Sequence, residues 1–335
     1  MIRAVLVVAA SFGALGSACS DFMMNFSSPG LVMSARTMDL GSTTNWTITS
    51  WPVSSEEVLP DPEGLQGAQY SSKYGTVGVT GNWLGDDKYG FYSLFGEAMN
   101  EKGLTCGQLT LVGSEYQKPS PRKTNVFFGV FCKWATQLFS EVEDVHAALA
   151  DVSIWGPEIL SEHFVLRDAK GASLVIELLG GEQNLYLDYN DQQSGYGIMT
   201  NEPSFDWHLT NVEHYEWKRT LSRQAVPVPG SWYPEDRFMR IHMVRSGMQE
   251  FGLNDVASYQ EAFSLTAQVL NVVTVPYGNQ YGTDTGENSG EGTNPDHTMW
   301  GLIRDHSTPA LYWRDAGNPT FRGIKLSEID FSAGA

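Results

Sequence analysis

The chain has 335 residues, of which 41% are apolar and 18% are charged, so it can bury a large core in one large domain or two ordinary ones. Its formal net charge of −18 disfavours nucleic acids and anionic membranes as partners, because phosphate binding needs clustered Lys and Arg. Its 3 cysteines exclude a disulfide scaffold. The odd number fits either a thiol kept for chemistry or one disulfide plus a spare buried cysteine. Cys106 and Cys132 fall in apolar surroundings, which predicts two inert core cysteines.

The first 18 residues have the order of a secretory signal. Arg3 precedes an apolar run, residues 4–15, and the small residues Gly-Ser-Ala end the segment at Ala18. Cleavage there leaves residues 19–335 as the mature chain, which we expect to be secreted or periplasmic. Neither the signal nor any later segment has the roughly twenty apolar residues that a transmembrane helix needs.

Short extended segments separated by Gly, Asn and Asp follow the signal and predict strands. They lie at residues 31–40, 74–83, 89–100 and 104–113. Residues 124–139 place Phe127, Phe131, Trp134 and Leu138 on one helical face. A second helix is predicted for residues 141–152, so these two segments form a helical pair.

The second half of the chain continues with both element types. Two apolar runs in residues 163–181 are joined by Asp168-Ala169-Lys170-Gly171, which predicts a hairpin. Helices are predicted at 234–249 and 255–273, the latter with Asp255 as N-cap. The Gly- and Asn-rich residues 277–297 predict a long loop at a pocket rim, and residues 310–326 return to strands. Strands grouped apart from helices, with no repeat or linker, indicate one α+β domain with antiparallel sheets.

Cys19 becomes the first residue if the signal is cut after Ala18. An N-terminal cysteine carries its own α-amino group, whose pKa of about 7.7–8.0 suits a general base near neutral pH. The nucleophile and its proton acceptor then belong to one residue. Two other interpretations stay open: a diacylated lipoprotein cysteine, which usually has Leu where Gly16 stands, and an ordinary residue of the signal or of an early strand.

Several motifs carry a resemblance to a known family. They are "CSDFMMN" (19–25) with "VMSARTMD" (32–39), "NEKGL" (100–104), "TNEPSFDWHL" (200–209), "PGSWYPEDRFMR" (229–240), "VLNVVTVPYG" (269–278) and "NPTFRGIKL" (318–326). In this order they resemble the choloylglycine hydrolase and penicillin V acylase family, which are amidases with an N-terminal cysteine nucleophile. The resemblance implies an αββα sandwich, two antiparallel sheets between helical layers. The resemblance also favours a homotetramer.

The resemblance also implies roles for particular residues. Cys19 matches the nucleophile, and Arg36 matches a guanidinium whose charge favours the thiolate. Asp39 matches the carboxylate that holds the α-amino group. Asn201 matches an amide donor for the oxyanion, and Arg237 matches a second guanidinium that supports the cluster.

The substrate side is less defined by these motifs. One position after "NEKGL" holds Asn in bile salt hydrolases and Tyr in penicillin acylases. In this chain, plain register places Thr110 at that position, and Gln108 takes it if the register slips. Met23 and Met24 are candidate contacts for an apolar acyl group. The histidines show no metal-ligand spacing, so no metal and no cofactor is expected.

We therefore expect an exported cysteine amidase that hydrolyses a small N-acyl amide of the penicillin V, N-acyl homoserine lactone or conjugated bile salt type. A lipid-anchored or secreted binding protein on the same fold, without catalysis, is the alternative. A papain-like cysteine protease is disfavoured, because the surroundings of Cys19 lack that family's sequence and no Cys/His pairing is evident.

Overall fold

The computed structural model describes residues 19–27, 30–40, 46–62, 64–81, 94–157, 160–189, 195–221, 226–278 and 297–332. The strands in these ranges are β1 Ser20–Phe26, β2 Leu31–Leu40, β3 Trp46–Trp51, β4 Glu56–Val58, β5 Gln69–Ser71, β6 Thr76–Gly81, β7 Leu94–Asn100, β8 Thr105–Thr110, β9 Thr124–Phe127, β10 Val152–Trp155, β11 Glu162–Arg167, β12 Ser173–Leu179, β13 Glu182–Asp188, β14 Ile198–Met199, β15 His297–Asp305, β16 Ala310–Asp315 and β17 Asn318–Lys325. The helices are α1 Phe131–Leu138, α2 Val142–Ala148, α3 Phe205–Leu221, α4 Pro234–Glu250 and α5 Tyr259–Asn271. Within these ranges no helix is both long and apolar enough to cross a bilayer.

Two antiparallel sheets face each other. The six-stranded sheet has the order β14-β1-β2-β15-β16-β17, and the seven-stranded sheet has the order β13-β12-β11-β8-β7-β6-β3. Helices α4 and α5 pack on the first sheet, α3 packs on α4, and α1 and α2 pack on the second sheet. The predicted α+β class and its αββα layers are confirmed. The interpretation as a single domain stays a prediction.

The strand predictions for residues 31–40, 104–113, 163–181 and the chain's last segment are confirmed by β2, β8, the β11–β12 hairpin and β16–β17. Parts of three other predictions, residues 82–83, 89–93 and the pocket-rim loop 279–296, lie outside the described residues.

One predicted helix is partly wrong. Residues 124–127 form strand β9, which pairs in parallel with β10, and a 3-10 turn at 128–130 precedes α1. The start of this segment, Thr-Asn-Val-Phe, is rich in residues that favour strands, and a partner strand is available after α2. Only the second half of the predicted helix, from Phe131, is helical.

Helix α5 begins later than predicted. Its N-cap is Ser258 rather than Asp255: the Ser258 hydroxyl accepts a hydrogen bond from the Glu261 backbone N–H at 3.2 Å, and the Ala257 N–H donates to the Glu261 carboxylate at 2.9 Å. Serine followed three residues later by glutamate is the sequence signal of a capping box. Helix α3 was not predicted, because only Phe205, His208 and Val212 of its 17 residues are buried and its apolar periodicity is weak.

Cys106 and Cys132 form a disulfide that joins β8 to α1, with their Cα atoms 5.0 Å apart. The prediction of two inert core thiols is therefore wrong, because the register of β8 brings Cys106 within bridging distance of the first turn of α1. Of the two alternatives for the odd cysteine count, the structure shows one disulfide and places Cys19 outside it.

A buried charge network lies between the two sheets. Arg304 on β15 donates to both Glu97 carboxylate oxygens at 2.9 Å and to Asp21 at 2.5 Å. Arg167 on β11 donates to the other Asp21 oxygen at 2.7 Å, and the Arg36 guanidinium lies 3.4 Å from Glu97. All five side chains are almost fully buried. Since three guanidinium groups share two carboxylates, each carboxylate compensates more than one charge.

Replacing Glu97 by glutamine is expected to destabilise the fold by about 3–5 kcal/mol, because it leaves Arg36 and Arg304 buried with less compensation. Urea unfolding measures the change. Glu213→Gln on the exposed side of α3 is the matched control, with an expected change within about 0.5 kcal/mol. Equal effects of the two substitutions would mean that the network does not depend on Glu97.

Candidate active site

Strand ends from both sheets meet around Cys19 at one end of the sandwich. Cys19 directly precedes β1, β2 ends beside it, and β8, β7 and β11 of the opposite sheet end or begin there. They enclose a cavity of about 320 Å³, its open mouth included. Its lining consists of Cys19, Met38, Leu40, Trp46, Leu94, Gly96, Gln108, Thr110 and Glu162.

The Cys19 side chain faces the space between the sheets. Its Sγ donates to Met38 Sδ at 3.5 Å, and only 1% of the residue is exposed. The next residue, Ser20, donates its backbone N–H to Thr37 Oγ1 at 3.2 Å, and Thr37 donates in turn to Asp39 at 2.9 Å. A hydrogen-bonded chain therefore connects the start of β1 to the Asp39 carboxylate.

Asp39 is fully buried and held by two hydroxyl groups. Besides Thr37, Thr298 on β15 donates to it at 2.5 Å. Burial raises the pKa of Asp39 to about 7, although the Arg237 guanidinium, the two hydroxyls and Arg36 all act to lower it. Near neutral pH the carboxyl therefore lies between its two protonation states, as a group that accepts and returns a proton requires.

A β-bulge at Met299 sets the position of these groups. Thr298 lies opposite Asp39 and Trp300 lies opposite Met38, so β15 has one extra residue between the two pairs. As a result, the Thr298 hydroxyl reaches Asp39 while the Trp300 ring lies on the face of the sheet that carries Met38.

Arg237 joins the N-terminal strand to Asn201. Its guanidinium donates to the Cys19 carbonyl at 2.5 Å, to Ser20 Oγ at 2.6 Å and to Asn201 Oδ1 at 2.9 Å. Asn201 Nδ2 donates to the Thr110 carbonyl at 2.8 Å. The amide is therefore fixed at both ends, and its nitrogen carries a second hydrogen that can serve a ligand.

Arg36 lies where two strands separate. Strands β7 and β8 pair as far as Glu97 and Gly107, and beyond that point the Arg36 guanidinium donates to the carbonyls of Gly96 and Gln108. Both of those residues line the cavity, and the Trp300 ring lies under the guanidinium with its centroid 5.3 Å away. Arg36 thus places a buried positive charge at the cavity wall.

The predicted residues Cys19, Arg36, Asp39, Asn201 and Arg237 are therefore brought together. Thr110 lines the cavity as its register suggested, and so does Gln108, whose buried side-chain amide has no hydrogen-bond partner within the described part of the chain. The structure leaves both alternatives for this position in contact with the same cavity.

Met23 and Met24 do not line this cavity, so the expectation that they contact substrate finds no support. Both are buried in β1, Met24 in the main core cluster, and the Met23 carbonyl accepts from Arg245 at 3.1 Å. Both residues lie inside a strand that is covered on both faces, which explains why neither lines the cavity.

Sequence reasoning missed three polar groups at the site. Thr37 and Thr298 give hydroxyls to Asp39, and Glu162 places a buried carboxyl in the cavity wall, 3.4 Å from Thr110 Oγ1. The only signal for Glu162 was a carboxylate at the start of a strand whose centre is apolar. Burial raises the pKa of Glu162 to about 8, which Arg36 and Thr110 only partly oppose.

Glu162→Gln is expected to flatten the pH dependence of stability. The pKa of Glu162 is about 8 in the folded state and 4.5 for an ordinary glutamate. Between these two values the free energy of unfolding of the wild type therefore falls by up to about 1.4 kcal/mol per pH unit as pH rises. The glutamine variant lacks this loss and gains relative stability toward pH 8. Urea unfolding at a series of pH values measures both slopes. If the stability curves of the two proteins against pH are parallel, the pKa of Glu162 is not raised in the folded state.

Comparisons with known proteins identify the family of the chain. The family model described as linear amide C–N hydrolases, choloylglycine hydrolase family, matches residues 19–294. A penicillin V acylase from Pectobacterium atrosepticum is 27% identical over 99% of this chain and 87% of its own. A bile salt hydrolase/transferase from Clostridium perfringens is 29% identical over 65% of this chain and 69% of its own.

Solved structures share the fold. A variant of conjugated bile acid hydrolase from Clostridium perfringens has a TM-score of 0.74 at 23% identity, and 95% of each chain is covered. Penicillin V acylase from Agrobacterium tumefaciens has a TM-score of 0.73 at 24% identity, covering 95% of this chain and 89% of that one. The chain belongs to the choloylglycine hydrolase family, whose members hydrolyse the carbon–nitrogen bonds of linear amides.

Proposed function

We propose that the chain is exported, loses residues 1–18, and acts as an amidase in which Cys19 is the N-terminal nucleophile. The main support is the geometry around the first mature residue. Its sulfur lies in the cavity, its carbonyl is held by Arg237, and the hydroxyl chain beside it leads to Asp39. The family match also begins at Cys19.

The proposed reaction uses the residues in sequence. The α-amino group takes the thiol proton, and the sulfur attacks the carbonyl carbon of the amide. Asn201 Nδ2 donates to the oxyanion that develops. The ammonium then returns the proton to the leaving nitrogen as the C–N bond breaks. Water hydrolyses the thioester, which releases the acid and restores the thiol.

Asp39 and Arg36 act on this cycle through charge, and Arg237 acts by holding other groups in place. An ionised Asp39 stabilises the protonated amine, and the positive charge of that amine in turn lowers the pKa of Asp39 from the value of about 7 that it has while residues 1–18 are attached. Arg36 favours the thiolate by its positive charge. Arg237 holds the Cys19 carbonyl and orients Asn201, so it is a positioning residue.

The substrate is a small N-acyl amide. The named relatives, a penicillin V acylase and a bile salt hydrolase/transferase, suggest penicillin V and conjugated bile salts as substrates. N-acyl homoserine lactones are the third candidate. A homotetramer remains a prediction.

A hydrolysis panel on the processed protein tests the proposal. Amine release is measured from penicillin V, glycocholate and a long-chain N-acyl homoserine lactone. We expect at least one to be hydrolysed without any added cofactor. Intact mass is measured on the same sample. A mature chain that begins at an unmodified Cys19 agrees with the proposal, whereas a diacylglyceryl mass with no hydrolysis indicates the lipid-anchored binding protein.

A further inference from the structure

Asn201 lies in the short connection between β14 and α3, residues 200–204. Its side-chain amide is held at both ends, by Arg237 on α4 and by the Thr110 carbonyl on β8. These two contacts orient the amide group, but the backbone that carries it belongs to neither a strand nor a helix. The position of the amide therefore also depends on what holds this connection in place.

His208, at the end of the first turn of α3, holds that backbone. Its Nε2 lies 3.1 Å from the Asn201 carbonyl oxygen and 3.4 Å from Thr200 Oγ1. The Thr200 hydroxyl donates its only hydrogen to the Pro234 carbonyl at 3.0 Å. Both neighbours of Nε2 are therefore acceptors, so this nitrogen carries a proton and donates it to the Asn201 carbonyl.

The imidazole of His208 is neutral and its ring has one orientation. Burial lowers its pKa to about 4, which outweighs the opposite effect of the hydrogen bond to the Asn201 carbonyl. The ring stacks on Phe238 of α4, with centroids 4.5 Å apart and planes 4° from parallel. A single tautomer on a fixed ring gives the hydrogen bond to Asn201 a defined direction.

Helix α3 is itself attached to the seven-stranded sheet. The Phe205 backbone N–H, at the start of the helix, donates to a buried carboxyl oxygen of Glu177 on β12 at 2.8 Å. Phe205 and His208 are two of the three buried residues of α3, and their spacing of three places them on the same side of the helix. The buried side of α3 therefore connects β12 to the backbone of Asn201.

We propose that His208 is a positioning residue for amide hydrolysis, because its Nε2–H holds the Asn201 backbone and thereby keeps the free Nδ2 hydrogen of Asn201 where the oxyanion develops. This rests on the proposed function, in which Asn201 is the oxyanion donor. His208 does not line the cavity at Cys19, so it acts through Asn201. A displacement of about 1 Å at a reacting group can cost about a hundredfold in rate.

His208→Leu tests the proposal, because it removes the hydrogen bond and keeps a side chain of similar volume. On the best substrate of the panel we expect kcat to fall by about ten- to a hundredfold and KM to stay unchanged, since the oxyanion forms only in the transition state. His208→Gln keeps an N–H donor on the side chain and is expected to restore most of kcat. His214→Leu, at an exposed position of the same helix, is the matched control and is expected to keep the wild-type kcat.

A double-mutant cycle with Asn201→Ala separates positioning from a general disturbance of the site. Asn201→Ala alone is expected to lower kcat by about a hundred- to a thousandfold. Because His208 acts through Asn201, His208→Leu is expected to cost no further kcat in that background. Additive losses would overturn the proposal. Thermal unfolding checks each variant, and His208→Phe, which keeps a ring against Phe238, replaces the leucine variant if that does not fold.

Nitrogen-15 NMR of the wild type tests the hydrogen bond without relying on activity. The imidazole signals of His208 are assigned by their loss in His208→Gln, and at neutral pH we expect a neutral ring that is protonated at Nε2. A ring protonated at Nδ1, or at both nitrogens, would overturn the proposal.

The two proposals fail in different ways. If the wild type hydrolyses substrate and His208→Leu keeps its kcat, only the role of His208 is overturned. If a wild type of correct mass hydrolyses no member of the panel, the proposed function is overturned and the role of His208 falls with it.

Discussion

Cys19→Ala is expected to lower kcat for amide hydrolysis by at least about a thousandfold, because no other group can form the covalent intermediate. The fold is expected to survive, since the substitution removes only one sulfur atom from a wall of the cavity. Amine release from the best substrate of the panel measures the effect, and circular dichroism with thermal unfolding checks the fold.

Two further measurements separate loss of the nucleophile from a general disturbance of the site. Cys19→Ser keeps the shape and a weaker nucleophile, so we expect it to fall between alanine and wild type. Iodoacetamide is expected to add one label to the wild type and none to Cys19→Ala, because Cys106 and Cys132 are joined in a disulfide. An alanine variant that keeps more than about a hundredth of the activity would rule out a covalent role for this thiol.

A chain that retains Ala18 in front of Cys19 is expected to fold and to be inactive, again by about a thousandfold or more. The peptide bond converts the α-amino group into an amide nitrogen, which cannot accept the thiol proton. The thiol itself, Arg36, Asp39 and Asn201 are unchanged in this chain.

The matched control for this chain carries a protease site that ends directly before Cys19. Hydrolysis is measured before and after cutting, and activity is expected to appear in proportion to the fraction of chains that begin at Cys19. Equal activity before and after cutting would mean that the terminal amine is not the base. A mechanism of the papain type, with an internal cysteine and a separate base, would then become the better interpretation.

The sequence predicted those parts of the site that depend on local order. Cys19, Arg36 and Asp39 belong to one hairpin, so the alternation of a single strand pair fixes which of them face the sheet interior. Only Cys19 was a candidate before the family resemblance, which alone supplied Arg36 and Asp39 as well as the pair Asn201 and Arg237. Asn201 and Arg237 contact each other through a hydrogen bond between residues 36 positions apart. This contact depends on how α4 packs on the sheet, which the hydrophobic periodicity of the sequence does not indicate.

Of the three missed groups, Thr37 is local, two residues from Asp39 on the same strand, and the other two depend on long-range register. Thr298 reaches Asp39 across 259 residues, and Glu162 enters the cavity because β11 pairs with β8 so that it lies opposite Thr110. Likewise, the segment at residues 124–127 is a strand because β10 follows at the right place to pair with it. In each case the local pattern was compatible with another structure, and a distant partner decided between them.

The extra residue at Met299 lets β15 place neighbouring side chains on both faces of the sheet at the site. On a regular strand, the side chains of residues 298 and 300 would project from the same face of the sheet. Here the Thr298 hydroxyl donates to Asp39 on one face, and the Trp300 ring lies under the Arg36 guanidinium on the other face. Removal of one residue between them would restore the regular alternation, so one of these two contacts would be lost, whereas exchange of a single side chain in β15 leaves the backbone arrangement in place.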